Sequence, residues 1–296
     1  MKNFRFKKID AFARGSSTGN PAGCVYLDRA DDISEDEMQA IAVQVKGFVN
    51  EVVYLFPDSG GFFLRYYSSE REVDFCGHGT IAAMYDMIAG DTRLRAEKKI
   101  VIRVKDELLD VVNDIDGSDS VYITAPLPLF KDTILDAAAV SAALGVDRAV
   151  FNAKRPILMV NAGLNTLIVP ITALDECLAV HPVLETLKIF CQDNGIDIIL
   201  IFSGETSSGE RHYRTRVFAP RYGYLEDPAT GSGNSAFACY LLHIGAWDGS
   251  DLIIEQNNDR TNPNIIRLRT LMHEGTRRVQ FGGGAVVRID GEFILQ

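Results

Sequence analysis

Alternating apolar and polar residues dominate the chain, and segments with helical spacing separate these runs. In the first half the alternation predicts strands over residues 4–12, 22–27, 51–56, 62–67, 99–104, 108–112 and 120–125. Apolar residues at helical spacing predict helices over residues 34–45 and about 78–88. Ser34 is the expected N-cap of the first helix, because acidic residues follow it directly.

The same order of element types recurs after residue 126. The pattern predicts a helix over 135–144, an extended segment over 158–169 and a helical segment over 173–194 that Pro182 interrupts. Strands over 196–202 and 213–219, a helix over 232–244 and short strands between 251 and 296 follow. Strands outnumber helices, which favours an α+β protein over a doubly wound sheet.

A short self-similarity supports two related halves. When Gly77 is aligned with Gly231, Gly79 falls on Gly233 and Cys76 falls on Thr230. The preceding strands also resemble each other, with about three extra residues in the second copy. Together with the repeated order of elements, this match indicates duplication of one ancestral domain.

Composition narrows the class of protein. The 296 residues include 40 acidic and 30 basic side chains, a net charge of −10, which argues against nucleic acid as the main partner. No apolar run approaches the ~18 residues of a membrane span, and the N-terminus lacks a signal-peptide pattern. We therefore expect two domains in a soluble, cytoplasmic protein that binds neither nucleic acid nor membranes.

Cysteine and histidine spacing predicts no metal site. The five cysteines are widely spaced without a CxxC pair, which fits a reducing compartment and argues against a disulfide framework or a zinc site. The five histidines lack HxxxH or HxH spacing, and no nucleotide, flavin or pyridoxal phosphate fingerprint is present. The expectation is a protein without metal or cofactor.

Each half places a Gly-x-Gly turn at the start of an apolar helix. The unpaired N–H groups of such a terminus bind carboxylate or phosphate oxygens, which predicts a small anionic substrate. Reactive side chains accompany both turns, which favours a functional site. The alternative to a binding role is that the turns only cap their helices. The candidate residues are Cys76, Gly77, His78 and Gly79 in the first half and Asp227, Thr230, Gly231, Ser232 and Gly233 in the second.

The residues around these turns resemble the phenazine-biosynthesis PhzF-like proteins. The resemblance is carried by the segment 216–220, Arg-Val-Phe-Ala-Pro, and by the segment 226–233, Glu-Asp-Pro-Ala-Thr-Gly-Ser-Gly. It extends to segments 10–12, 19–21, 50–52, 73–78 and 281–286 in the same order. The wider superfamily includes diaminopimelate epimerase and proline racemase.

The resemblance implies a diaminopimelate-epimerase-like fold. Two pseudo-symmetric domains, 1–125 and 126–285, would each wrap a curved, barrel-like sheet around a central helix. The fold allows the last strand, about residues 286–296, to return to the first domain. A homodimer and a substrate site in the interdomain cleft, with Asn20 among the binding residues, are implied in the same way.

The resemblance also implies an isomerase that needs no cofactor. Glu51 matches the glutamate that moves a proton on a conjugated hydroxy acid, and His78 and Asp227 would position the substrate or relay the proton. Two-base racemisation is disfavoured because Thr230 replaces the second cysteine. The alternatives are a Cys76-dependent lyase or epimerase acting on an amino or hydroxy acid, and a binding protein without catalysis.

Overall fold

The computed structural model describes residues 1–131 and 135–296. The chain forms two compact units, unit 1 with residues 1–124 and 282–296 and unit 2 with residues 125–281. Within the described ranges, no helix is both long enough and apolar enough to cross a membrane.

Unit 1 is built from strands with helices in three of their connections. Its strands are β1 (Lys2–Ala11), β2 (Asn20–Tyr26), β3 (Glu51–Asp58), β4 (Gly61–Ser68), β5 (Glu72–Val73), β6 (Lys99–Val104), β7 (Glu107–Asp114) and β8 (Ser120–Thr124). Its helices are α1 (Glu35–Gln44), α2 (Gly77–Gly90), α3 (Thr92–Ala96) and α4 (Ile115–Ser118).

Unit 2 contains a similar set of elements. Its helices are α5 (Ala137–Leu144), α6 (Leu174–Ala179), α7 (Leu184–Asp193) and α8 (Gly231–His243). Its strands are β9 (Leu129–Lys131), β10 (Leu158–Asn161), β11 (Asn165–Pro170), β12 (Ile198–Ser203), β13 (Tyr213–Phe218), β14 (Glu226–Asp227), β15 (Leu252–Gln256) and β16 (Asn264–His273). Strand β17 (Thr276–Gly283) begins in unit 2 and ends in unit 1, and β18 (Ala285–Leu295) pairs antiparallel with β1.

Strand pairing follows the same order in both units. In unit 1, β1–β2, β3–β4, β4–β5 and β6–β7 are antiparallel, whereas β2–β3 and β4–β6 are parallel. In unit 2, β10–β11, β12–β13, β13–β14 and β15–β16 are antiparallel, whereas β11–β12 and β13–β15 are parallel. Parallel neighbours need a crossover, and helices occupy those crossovers in both copies. This shared topology confirms the predicted repeat and the α+β class.

One helix in each unit is surrounded by the sheet. Helix α2 packs against β1, β2, β3, β8 and β18, and α8 packs against β10, β11, β12 and β16. Both helices are rich in alanine, glycine and other small residues, and ten of the thirteen residues of α8 are buried. A helix that is apolar on most sides is stable only when neighbours cover it all round, so these are the central helices.

Most predicted elements occur close to their expected bounds, with one informative difference. The segment expected to be extended over 158–169 is a hairpin of β10 and β11. At its turn the Asn161 side chain accepts a hydrogen bond from the Gly163 N–H at 3.0 Å and donates one to the Asn165 side chain at 2.8 Å. These asparagine contacts stabilise a turn that the apolar pattern did not reveal.

A buried ion pair joins β13 to β15 in unit 2. The Arg214 guanidinium lies 2.8 Å from the Glu255 carboxylate, and neither side chain is exposed to solvent. Arg214 also donates to the Ser207 hydroxyl at 2.7 Å and to the Asn257 carbonyl at 2.9 Å. Burial of charges is tolerated only when such partners replace water, so this network holds β15 in place.

We predict that Glu255→Gln lowers the free energy of unfolding by about 3–5 kcal/mol, because it leaves the Arg214 charge buried without its partner. Urea denaturation followed by circular dichroism measures this change. The control is Asp110→Asn, which removes the exposed Lys99–Asp110 pair and costs less than about 1 kcal/mol. Equal losses in the two variants would contradict the structural role of the buried pair.

Candidate active site

Three chemically reactive side chains meet in unit 1. Glu51 is the first residue of β3, Cys76 is the N-cap of α2, and His78 lies in the first turn of that helix. The His78 Nε2 atom lies 3.3 Å from Glu51 Oε2, and the His78 Nδ1 atom lies 3.5 Å from Cys76 Sγ. Ligand atoms of all three lie within 4.8 Å of one another, so the fold places an acid, a thiol and an imidazole at one point.

Strand register brings these residues together. Strand β2 is parallel to β3, with Ala22 opposite Glu51, so Pro21 precedes the paired position. The Pro21 backbone lies beside the His78 ring, where it favours the protonated form of the imidazole. The predicted binding residue Asn20 begins β2 and is buried. The cluster therefore depends on contacts between β2, β3 and the start of α2.

Burial makes His78 a neutral side chain. Its side chain is 13% exposed, and loss of solvent lowers its pKa from the ordinary value to about 4, although the adjacent Pro21 backbone opposes this shift. At neutral pH the ring therefore carries one N–H. While that N–H donates to one neighbour, the second ring nitrogen has a lone pair that can accept a hydrogen bond.

The turn at the start of α2 leaves no room for a side chain at Gly79. A Cβ atom there would lie 2.7 Å from a methyl group of Val53 and 3.0 Å from Cys76 Sγ. The corresponding Gly233 at the start of α8 would place a Cβ atom 3.1 Å from the Ile198 side chain and 3.4 Å from the Thr230 side chain. The glycines allow helix starts to approach neighbouring groups closely.

In unit 2 the start of α8 carries a polar network. The Thr230 hydroxyl donates to the Asp227 carboxylate. Gln256, fully buried, accepts from the Thr230 N–H at 3.0 Å and from the Asn234 amide at 2.7 Å. Its own amide donates to the Asp227 carbonyl at 2.8 Å and to the Thr230 hydroxyl at 3.0 Å. Asn264 adds a hydrogen bond to the Pro228 carbonyl at 2.8 Å, so several buried side chains stabilise this turn.

The two helix starts have the same backbone geometry. Cys76 has φ −129° and ψ 104°, and Thr230 has φ −125° and ψ 104°, each as the N-cap of a central helix. The Thr80 hydroxyl donates to the Cys76 carbonyl at 2.8 Å, and the Asn234 amide donates to the Thr230 carbonyl at the same distance. The alignment of Cys76 with Thr230 therefore corresponds to an equivalent position in the fold.

An arginine–glutamate pair precedes both turns. Arg65 contacts Glu72 through two nitrogens at 2.7 and 2.8 Å. Arg216 contacts Glu226 in the same manner at 2.9 and 2.8 Å. In each unit the pair joins a long strand, β4 or β13, to the two-residue strand before the helix. Bidentate pairs hold such short strands in a defined orientation.

The candidate residues thus form two groups. Unit 1 contains Asn20, Glu51, Cys76, Gly77, His78 and Gly79, and unit 2 contains Asp227, Thr230, Gly231, Ser232 and Gly233. Sequence reasoning missed Gln256, Asn234 and Asn264. Amide side chains within apolar elements of the sequence indicate such a buried network, because a buried amide must find hydrogen-bond partners.

Comparison with known proteins relates the chain to one family. The family described as "Phenazine biosynthesis-like protein", PhzC-PhzF, matches residues 9–291. The relative "Uncharacterized isomerase YfhB" of Bacillus subtilis is 28% identical, with 97% of each chain covered. "Trans-2,3-dihydro-3-hydroxyanthranilate isomerase" of Pseudomonas fluorescens is 26% identical, with 97% of this chain and 98% of that protein covered.

Solved structures share the fold. A Bacillus anthracis protein of the PhzF family is 26% identical and superposes with a TM-score of 0.88 over 100% of both chains. A hydroxyproline epimerase of Agrobacterium vitis, 10% identical, superposes with a TM-score of 0.59 over 99% of this chain and 91% of that one. The diaminopimelate-epimerase-like fold implied by the resemblance is therefore confirmed. With matches along nearly its whole length, the chain belongs to the PhzF family, which includes proteins named as isomerases.

Proposed function

We propose that the protein is a proton-shift isomerase that acts on a small carboxylated substrate, with Glu51 as the general acid and base. The observation that carries this proposal is the 3.3 Å approach of the Glu51 carboxylate to the neutral His78 ring at the start of α2. The same helix start offers backbone N–H groups to an anionic group of the substrate. An acid–base residue beside an anion site is the minimum that a proton shift needs.

The proposed reaction uses one carboxyl group twice. Glu51 takes a proton from a carbon of the substrate, the electron pair moves along a conjugated system, and the protonated Glu51 returns the proton to another carbon. No oxidant or second base is required, and the substrate is isomerised without change in composition. The neutral His78 ring can accept a hydrogen bond from the substrate or from the protonated Glu51 carboxyl group.

The groups of unit 2 have a binding role in this proposal. Thr230 occupies the position of the second cysteine of the racemases and donates its hydroxyl to Asp227, so it is a poor base. Asp227 and the N–H groups of the residues 231–233 would position polar groups of the substrate. These roles favour a proton shift over racemisation at one carbon.

The name of the Pseudomonas fluorescens relative suggests the first compound to test. Trans-2,3-dihydro-3-hydroxyanthranilate carries a carboxylate and a conjugated ring, as the proposed chemistry requires. We propose substrates of this class, small conjugated hydroxy or amino acids. Cytoplasmic localisation and a homodimer stay predictions.

A second candidate is a lyase that depends on Cys76. The position of Cys76 as the N-cap of α2, with Sγ 3.5 Å from His78 Nδ1, favours it, because the backbone N–H groups of a helix start and a hydrogen-bonding ring can stabilise a thiolate base. The thiolate would abstract an α-proton, and a leaving group would depart from the neighbouring carbon. This reaction requires Cys76, whereas the isomerase requires Glu51.

We predict that Glu51→Gln abolishes incorporation of deuterium into substrate carbons in D₂O, with a loss of at least about 100-fold, because an amide cannot transfer the proton. NMR of trans-2,3-dihydro-3-hydroxyanthranilate and related acids with the purified protein measures the exchange. Cys76→Ser serves as the comparison and retains exchange. Exchange that persists in Glu51→Gln and disappears in Cys76→Ser would contradict the isomerase proposal and support the lyase.

We predict that the His78 ring stays neutral from pH 5 to pH 8, because burial lowers its pKa to about 4. Nitrogen-15 NMR of the histidine rings measures the protonation state, and the spectrum of His78→Asn assigns the signal. The rate of exchange should accordingly show no change that is due to His78 near its ordinary pKa. A ring titration with a midpoint between about pH 6 and 7 would contradict this prediction.

We predict that Gln256→Leu lowers the free energy of unfolding by about 1–3 kcal/mol, because it leaves the Thr230 N–H and the Asp227 carbonyl without their buried partner. It should also slow deuterium exchange, since Asp227 loses its fixed position. The exposed Gln192 of α7 offers a matched control, Gln192→Leu. Unchanged stability and exchange in Gln256→Leu would show that the network does not position Asp227.

A further inference from the structure

The group formed by Glu51, Cys76 and His78 has a property that proton transfer does not use. It contains a thiol, an imidazole and a carboxylate, which are the three side-chain types that coordinate Zn²⁺ in proteins. Within residues 1–131 and 135–296, no other set of three histidine, cysteine or acidic side chains has its ligand atoms as close together. The chemistry of the donors therefore favours a thiophilic cation over Mg²⁺ or Ca²⁺.

The distances suit a tetrahedral ion. Bond lengths of about 2.0–2.3 Å place neighbouring ligands about 3.3–3.8 Å apart around such an ion. The His78 Nε2 atom lies 3.3 Å from Glu51 Oε2 and 3.9 Å from Cys76 Sγ. All three ligand atoms lie within 4.8 Å of one another, and zinc sites with three protein ligands commonly hold water as the fourth ligand.

The surroundings also resemble those of a bound metal. Metal-ligating histidines commonly donate their second ring N–H to a carbonyl or carboxylate, which orients the ring. In this protein the Pro21 backbone lies beside the His78 ring and offers such a carbonyl. The three side chains are mostly shielded from water, because Cys76 is 7% exposed and the Glu51 side chain is 22% exposed.

We propose that Glu51, Cys76 and His78 form a three-ligand site for a thiophilic divalent cation of the Zn²⁺ type, and that the bound cation inhibits the enzyme. Binding replaces the thiol proton by the metal and engages the Glu51 carboxylate. The inhibitory part rests on the proposed function, since a carboxylate that ligates a cation no longer exchanges a proton with substrate. Metal binding itself requires no substrate and is tested independently.

The test is a titration of the purified, chelator-treated protein with Co²⁺, whose bond to a thiolate produces a near-ultraviolet charge-transfer band. We expect a band that saturates at one equivalent and disappears on addition of Zn²⁺. Cys76→Ser should lose the band, and His78→Asn and Glu51→Gln should bind Co²⁺ at least about 10-fold more weakly. Cys239→Ser, which removes a buried thiol of α8, should keep the band unchanged.

The outcomes separate the metal site from the proposed function. No band in the wild-type protein, or an undiminished band in Cys76→Ser, would overturn the metal site whatever the exchange assay shows. If Cys76→Ser loses the band because it misfolds, circular dichroism reveals the misfolding. The Co²⁺ affinity of Glu51→Gln then tests the site, and an affinity equal to that of the wild-type protein would overturn it. Deuterium exchange that continues at full rate in saturating Zn²⁺ would overturn inhibition. A Co²⁺ band in a protein that shows no deuterium exchange with any tested compound would support the metal site and count against the isomerase proposal.

Discussion

The close approach of α2 to β3 is the constraint on which the chemistry of unit 1 depends. Gly79 has no side chain, so the first turn of the helix lies against Val53 and beside the Cys76 thiol. The same approach places His78 next to Glu51, the first residue of β3. A larger residue at position 79 would move the helix start and separate the acid from the imidazole.

Duplication explains why the protein has two such helix starts with different chemistry. Both units use the same strand order, an arginine–glutamate pair and an N-cap of nearly identical backbone geometry. The side chains at these equivalent positions differ, with Cys76 in unit 1 and Thr230 in unit 2. The helix start of unit 1 carries an acid, a thiol and an imidazole, whereas a network of buried amide side chains stabilises the turn in unit 2.

Burial decides how the reactive groups of unit 1 behave. Loss of solvent keeps His78 neutral, so the ring has both a hydrogen-bond donor and an acceptor at neutral pH. Such a ring can support proton transfer by the neighbouring carboxyl group and can also ligate a cation. The proposed catalysis and the proposed inhibition therefore arise from the same property of the site.

The sequence by itself determined the α+β class, the internal repeat, the family and most of the elements. Those features depend on residues close together in the chain, such as the run of small and apolar residues in α8 or the glycines that follow Cys76 and Thr230. Only the tertiary structure decided which distant residues share a site. Glu51 meets His78, and Gln256 meets Thr230, because strand register and helix packing bring separate segments together, and neither contact leaves a local pattern in the chain. For the same reason, cysteine and histidine spacing argued against a zinc site, while the fold places Cys76, His78 and Glu51 within ligand distance of one another.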